Sequence, residues 1–300
     1  MPNFLRLLSL TLCFTTSAVF AEMLEAPSNE DIDPLGVEFD VNAAYVGDGD
    51  VHRGSREINN FNEWNFIARL LILPRTRIGI LRLGAEYEIY DFSIPDGAQV
   101  PDRLQSAALV IGLDTKFSDS LLFRVEAKPG FYYAHDLEGR DFNVPFIVGG
   151  TYLYRSTLQF VFGIGVDFEG QYPVLPGGGV RWKFAPQWVL NATFPTPRLE
   201  YEVNRNLMIY AGAQVLSKNF RVGDDFVGDR SDPGKLNHTI LNYTEIRTGG
   251  GLTWKIGEAC RLTVEGGYMP YRQFDYYRAD IRYKSDSGAP YASISLHAAF

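Results

Sequence analysis

The stretch Tyr291-Ala-Ser-Ile-Ser-Leu-His-Ala-Ala-Phe300 ends the chain and decides how the rest is read. Counted back from the last residue, Phe300, Ala298, Leu296, Ile294 and Ala292 share one face. Ala299, His297, Ser295, Ser293 and Tyr291 share the other. Strict period-two alternation predicts a strand with one apolar and one polar face. The pattern runs to the final residue, where a soluble domain tends to fray. In a closed barrel the last strand pairs with the first, so ending on a full strand is natural. The plainer alternative for these residues alone is the closing strand of a soluble sheet.

Composition favours the barrel. Three hundred residues suffice for one large domain. The chain is 46% hydrophobic, yet its mean hydropathy is −0.11. No long apolar run follows the N-terminus, which argues against a helical membrane protein. Alternating lipid-facing and lumen-facing residues average to such a middling value. The 17 Tyr and 21 Phe suit aromatic girdles at two interfaces. A net charge of −8 argues against nucleic-acid binding, which needs a basic surface.

Residues 1–21 read as a secretory signal: Arg6 is the positive start, Leu7 to Phe20 the apolar stretch, and Val19-Phe20-Ala21 a cleavage site before Glu22. The apolar stretch is too short to span a bilayer. Cys13 lies inside it, and Leu12 is too large for a lipoprotein site. Only Cys260 then remains, so no disulfide forms within the mature chain. Residues 22–35 read as a short periplasmic lead and 36–300 as the barrel.

Along the barrel, Val37 to Tyr45 alternates cleanly, followed by a charged loop from Gly47 to Asn60. A strand at Glu63–Leu73 points Trp64, Phe66, Leu70 and Ile72 outward and Arg69 inward. The next sets Leu81, Leu83, Ala85 and Tyr87 against Arg82, Glu86 and Glu88. A loop at Asp91–Asp102 precedes a strand through Leu109 and Ile111, then one with Leu121, Phe123 and Val125 against Arg124, Glu126 and Lys128. Phe142–Tyr154 is a strand of ambiguous faces. Short turns and long loops then alternate to the end, with long loops at Ser217–Asn237 and Pro270–Pro290. Phe194-Pro-Thr-Pro197 interrupts the pattern, because two prolines at that spacing cannot sit in mid-ladder. The count predicts an all-β, antiparallel, up-and-down transmembrane β-barrel of about 14 strands, or 12 if the strands beside Pro195 and Pro197 do not span. Both termini fall on the short-turn side, the periplasmic side of such barrels.

The terminal strand, with Phe300 last and Ala298, Leu296 and Ile294 at every second position, resembles the C-terminal signal of bacterial outer-membrane β-barrels. The resemblance implies residence in outer-membrane lipid and reading of this strand by the barrel-assembly machinery. Phe194-Pro-Thr-Pro-Arg-Leu-Glu-Tyr201, Tyr210-Ala-Gly212 and Gly267-Tyr-Met-Pro-Tyr-Arg-Gln-Phe-Asp275 further resemble an uncharacterised domain-of-unknown-function family of outer-membrane barrels. That likeness covers nearly all of the mature chain and brings no substrate or catalytic residue.

The inward charges are the informative set. Arg82, Glu86, Arg124, Glu126, Arg181, Glu245 and Arg247 are expected to line the lumen, with Arg198, Glu200 and Glu202 forming a constriction where the Pro195/Pro197 break pushes backbone inward. Such groups are tolerable only in water or in pairs. They line a water-filled channel, or they pair across the lumen and block it. The first reading is a passive channel for small polar solutes, and the second a structural, ligand-binding or adhesion barrel. No His pair has metal-ligand spacing. The acidic pairs Asp48/Asp50, Asp224/Asp225 and Asp229/Asp232 lack a calcium-loop pattern and read as solvated charge. A hydrolase acting through His238, with Asn242 nearby, is the third and least favoured reading, since Ile240 stands two residues after His238 and the outer-membrane phospholipase motif is absent. The reading therefore contains no catalytic residue, metal or cofactor, and leaves the oligomeric state open.

Overall fold

The computed structural model describes residues 35–54, 56–94, 100–223, 236–285 and 287–300. The predicted export signal, all but the last residue of the predicted lead, and the acidic positions Asp224, Asp225, Asp229 and Asp232 lie outside the described residues. The described chain is strand almost throughout. In order these are β1 (Leu35–Arg53), β2 (Arg56–Thr76), β3 (Gly79–Ser93), β4 (Arg103–Ser118), β5 (Leu121–Ala127), β6 (Gly130–Ala134), β7 (Phe142–Asn143), β8 (Phe146–Arg155) and β9 (Leu158–Val166). There follow β10 (Val174–Ala185), β11 (Trp188–Thr193), β12 (Arg198–Glu202), β13 (Leu207–Val222), β14 (Ile240–Ile256), β15 (Cys260–Tyr276), β16 (Ile281–Ser285) and β17 (Ala289–Ala299). One 3-10 turn, Gly139–Asp141, precedes β7.

Neighbouring strands pair antiparallel, and β17 returns to β1 from Glu38↔Ala299 to Val46↔Tyr291. Three wall strands are interrupted, so β5 with β6, β7 with β8, and β16 with β17 each make one. The result is a closed, up-and-down barrel of 14 strands. Pro129 and Pro145 mark two of the breaks, because proline has no N–H for the ladder. Their carbonyls still serve it, accepting from Leu109 N at 2.9 Å and Lys128 N at 2.8 Å. At the seam Phe300 N donates to Val37 O at 2.9 Å and Val37 N to Phe300 O at 3.0 Å.

The alternation sorts the faces as expected. On β4 Leu109 and Ile111 are 58% and 50% exposed, while Ala108 and Val110, alternating with them, are buried. Trp64, Leu70, Phe160, Phe162, Val264 and Ile294 continue an exposed apolar belt. A belt of this extent is out of place in water and is what lipid covers. Near the end that carries both termini, Trp182, Phe184, Trp188 and Tyr201 form an aromatic chain with centroids 5.6, 6.5 and 4.8 Å apart.

The strand reading is corrected in three places, the first being the predicted loop Ser217–Asn237, whose opening residues Ser217–Val222 continue β13. In the predicted loop Gly47–Asn60, residues 47–53 and 56–60 are strand, since the β1–β2 ladder continues to Arg53↔Arg56. Register shifts between Val46 and Val51 change the faces there, and Val51, Ile58 and Phe61 are buried. The predicted loop Pro270–Pro290 holds the far part of β15, a turn, β16 and the start of β17. A register shift between Ile246/Tyr271 and Thr248/Tyr268 absorbs Pro270, whose lack of a donor had suggested a strand end.

The end of the barrel away from the termini is covered. From Val215 to Val222 and from Ile240 to Ile246, residues on both faces of the β13–β14 hairpin are mostly buried. A wall strand would show alternate residues to lipid, so this half-hairpin lies tucked inside. Its tip residues Arg221 and Val222 pair in parallel with Tyr133 and Ala134 of β6, on the opposite side of the ring. Both strands run away from the termini, so they can meet across the mouth only in parallel. The wall beside the hairpin is low. β11 has 6 residues and β12 has 5, where a tilted spanning strand needs about 9–11. The Pro195–Pro197 connection keeps its ladder through carbonyls alone, Val215 N donating to Pro195 O at 3.0 Å and Ala213 N to Pro197 O at 2.9 Å.

Leu109→Arg places a charge in the middle of the belt. It is expected to lower the unfolding free energy by about 2–4 kcal/mol. Urea titration of the barrel folded into lipid vesicles measures this, and an unchanged midpoint would remove Leu109 from the lipid face.

Candidate functional site

The inward face of β3 reads Arg82, Gly84, Glu86, Glu88, Tyr90 and Phe92 from the terminus end outward. Charge gives way to aromatic along a single strand. β14 repeats the order with Arg247, Glu245, Tyr243 and Leu241, and β15 with Arg272, Phe274 and Tyr276. At the terminus end the charged groups stay within reach of water. Lys183 and Glu202 pair at 2.6 Å while 38% and 39% exposed. Asp40 lies between Arg69 at 3.4 Å and His297 at 2.6 Å. Deeper in, Arg82 meets Glu126 at 3.1 Å and Asp114 at 3.6 Å. Arg124 grips Asp114 through two bonds of 2.6 and 2.7 Å. Lys128 donates to both oxygens of Glu86 at 2.8 Å.

Further still, the charges are fully buried. Glu63 accepts from Arg272 Nη2 at 2.9 Å, Arg247 Nη2 at 3.3 Å and Tyr243 Oη at 2.7 Å. Arg247 also meets Glu245 at 2.8 Å. Two guanidiniums and two carboxylates make a neutral quartet joining β2, β14 and β15. Pairing and hydrogen bonds are what allow ions at this depth. Lys218 of the tucked hairpin pairs with Glu88 of β3, tying two well-separated parts of the ring through the interior. Beyond this layer lies an aromatic cluster of Phe61, Tyr90, Phe92, Phe220, Tyr243 and Phe274. Its ring centroids are 4.9 Å apart for Tyr243–Phe274 and 5.3 Å for Phe61–Phe92. The far half of the lumen is filled by side chains.

Below the quartet remains a small recess with room for about one water, lined by Arg198, Tyr210, Gln214, Arg247, Glu265 and Tyr291 among others. Tyr210 Oη donates to Glu265 Oε2 at 2.5 Å, and Tyr291 Oη to Oε1 at 2.7 Å. The Arg198 guanidinium lies over the Tyr210 ring, 4.8 Å from its centroid. Glycine makes this arrangement possible: a Cβ on Gly251 would come within 2.5 Å of Tyr210, and one on Gly249 within 2.8 Å of the Tyr291 hydroxyl.

Of the residues singled out from sequence, Arg82, Arg124 and Glu126 share one cluster, Glu86 belongs with Lys128, and Glu245 and Arg247 sit in the quartet. Glu200 is buried beside Arg181 at 3.6 Å, Glu202 holds Lys183, and Arg198 faces the recess. Ile294, Leu296 and Ala298 run alongside Ala43, Val41 and Phe39, with Phe300 at the seam. Sequence reasoning missed Glu63, Arg272 and Lys218. The last two lay in stretches taken for loops, and Glu63 marked a strand start. Continued period-two spacing, Glu63-x-Asn65-x-Ile67-x-Arg69, was the signal for Glu63. The loop charges have ordinary partners: Asp48 accepts from Asn62 and Asp50 from Asn60, each at 3.3 Å. His135 lies 3.2 Å from Asp102, and His238 Nδ1 lies 3.7 Å from Glu138. Asn242 donates to Ser217 at 3.1 Å and Asn219 at 3.0 Å.

Arg272→Ala leaves Glu63 short of its nearest cation. It is expected to destabilise the folded barrel by about 3–5 kcal/mol. Replacing Arg272 and Glu63 together with Met and Leu is expected to recover most of that loss. Both are read by urea titration in vesicles.

No curated protein matches the chain. Among solved structures, an outer membrane channel from Pseudomonas putida F1 aligns at 10% identity over 92% of this chain and 100% of its own, with a TM-score of 0.48. The P. putida toluene transporter TodX aligns at 11% identity over 90% and 91%, with a TM-score of 0.39. The KdgM porin aligns at 11% identity over 88% and 99%, with a TM-score of 0.37. Residues 74–296 match the family described as domain of unknown function DUF6268, and the chain belongs to that family.

Proposed function

We propose that the barrel is a passive outer-membrane channel for small polar solutes, closed in the present conformation by its own β13–β14 hairpin. The observation that carries the reading is the charged cup that opens at the terminus end and reaches the recess. Ionic groups line a barrel interior where water enters. In this reading the short-turn end faces the periplasm, lipid covers the apolar belt, and the assembly machinery reads the strand that ends at Phe300. A second reading, a non-conducting ligand-binding barrel, draws on the filled far half of the lumen.

Single-channel recording in planar bilayers separates the two. The unaltered protein is expected to open rarely. Lys218→Ala together with Glu88→Gln removes the tie through the lumen without stranding a charge, and is expected to raise the open fraction about tenfold or more. A folded barrel that conducts in neither form would overturn the channel reading.

Acidity is expected to hold the mouth shut. In the loop after β9, burial pushes the Glu169 carboxyl above its ordinary range, and the Arg221 guanidinium beside it only partly offsets this. The covered state then binds a proton more tightly than an opened state with Glu169 in water. Lowering the pH from neutral towards the ordinary carboxylate range therefore favours closure. Open fraction against pH tests this, with Glu169→Gln expected to flatten the profile.

A further inference from the structure

We infer that the rim of short turns at the terminus end docks the headgroups of anionic phospholipid in the leaflet around it. The two ends of the barrel treat their exposed cations differently. At the far end these are tied to carboxylates: Arg103 to Asp91 at 2.5 Å, Arg140 to Glu138 at 3.0 Å and Arg282 to Asp275 at 2.5 Å. At the terminus end Arg75 and Arg77, where β2 turns into β3, are exposed, as are Arg155 at the end of β8, Arg205 between β12 and β13, and Lys255 near the end of β14. None of these five has a carboxylate within ion-pair distance among the described residues. Against them the described turns set only Asp119, held by Lys116 at 2.8 Å, and Glu258, with the terminal carboxylate of Phe300 beside them. The rim is therefore cationic in a chain whose net charge is −8.

The aromatic residues set the level of these cations. Three of the four tryptophans, Trp182, Trp188 and Trp254, are exposed at the terminus end of their strands. Indole rings settle at the headgroup layer, which brings the lipid phosphates beside the turns. The turns also carry apolar groups into that layer, since Ile78, next to Arg77, is 65% exposed and Phe117 is 79% exposed. The Arg155 guanidinium lies over the Tyr154 ring, 5.2 Å from its centroid, and Tyr154 packs with the exposed Tyr152 and Phe160. That cation is thus held on the lipid side of the wall. Lys255 follows Trp254, and its long stem can carry the ammonium to the same plane. The guanidinium fork matches two phosphate oxygens, while the ammonium acts as a point charge. The cations are spread over four turns around the ring, so no single compact anion meets them all. A shell of lipid does. An anionic headgroup fits better than a zwitterionic one, whose own ammonium competes for its phosphate. Lipid docking is independent of conduction.

Spin-labelled lipid in phosphatidylcholine vesicles holding the folded protein tests the assignment. The electron paramagnetic resonance spectrum separates lipid slowed against the barrel from free lipid. At low salt, labelled phosphatidylglycerol is expected to associate with the barrel at least about twofold more strongly than labelled phosphatidylcholine. The preference is expected to fade in about 1 M salt, where screening acts within about 3 Å. R77Q, R155Q, R205Q and K255Q combined are expected to remove most of it. R103Q, R140Q and R278Q combined take charge from the far end and are expected to leave it in place. Unchanged heat-modifiable migration in gels confirms that each variant is folded. Equal association of the two labels at low salt would overturn the assignment. So would a preference that survives in the four-site variant, or one that falls equally in the far-end variant.

Discussion

Inside a bilayer no water is present to satisfy a backbone N–H or C=O, so each must find its partner on a neighbouring strand. A flat sheet leaves two bare edges, and closing it into a ring leaves none. The ladder between β1 and β17, sealed by the paired backbone groups of Val37 and Phe300, is where this chain meets that constraint. Once the ring is closed, period-two geometry sends alternate side chains to lipid and to the interior. Arg82, Glu86 and Glu88 then have nowhere to go but inward, and their ion pairs follow from that placement.

The interior is graded because three features coincide. β11 and β12 are short, the neighbouring outer half of the β13–β14 hairpin lies inside the ring, and its tip is pinned to β6. Phe220 and Tyr243 of the hairpin meet Tyr90, Phe92 and Phe274 from the wall, so apolar surface leaves water at the far end. Where the hairpin departs from the wall, Gly249 and Gly251 replace side chains, and the recess with Tyr210, Arg198 and Glu265 opens at that level. Closure and cavity are two results of the same fold of the sheet.

The architecture was legible in the sequence because alternation is local. Ten residues ending at Phe300 already state two faces, and fourteen such stretches state a ring. The lumen charges that follow the simple period, such as Arg82, Arg124 and Arg247, were legible for the same reason. What escaped notice depends on contacts between distant strands. Lys218 and Arg272 sit where both faces of a strand are buried or where a register shift changes the face, and neither condition leaves a period-two signature. Pro270 pointed away from a strand that the bulge in fact accommodates. The pairing of Lys218 with Glu88 is set by the inward fold of the hairpin, which no neighbouring residue encodes.

The seam also fixes when this protein can exist. Glu38 and Ala299 are partners, so β1 and β17 each lack a second neighbour until they meet. A fragment without β17 cannot complete the cylinder. Until that meeting, the greasy half of every strand is a liability in an aqueous compartment. A truncation of even the final few residues would therefore act less like a trimmed tail than like a missing stave, leaving the whole vessel open along its length.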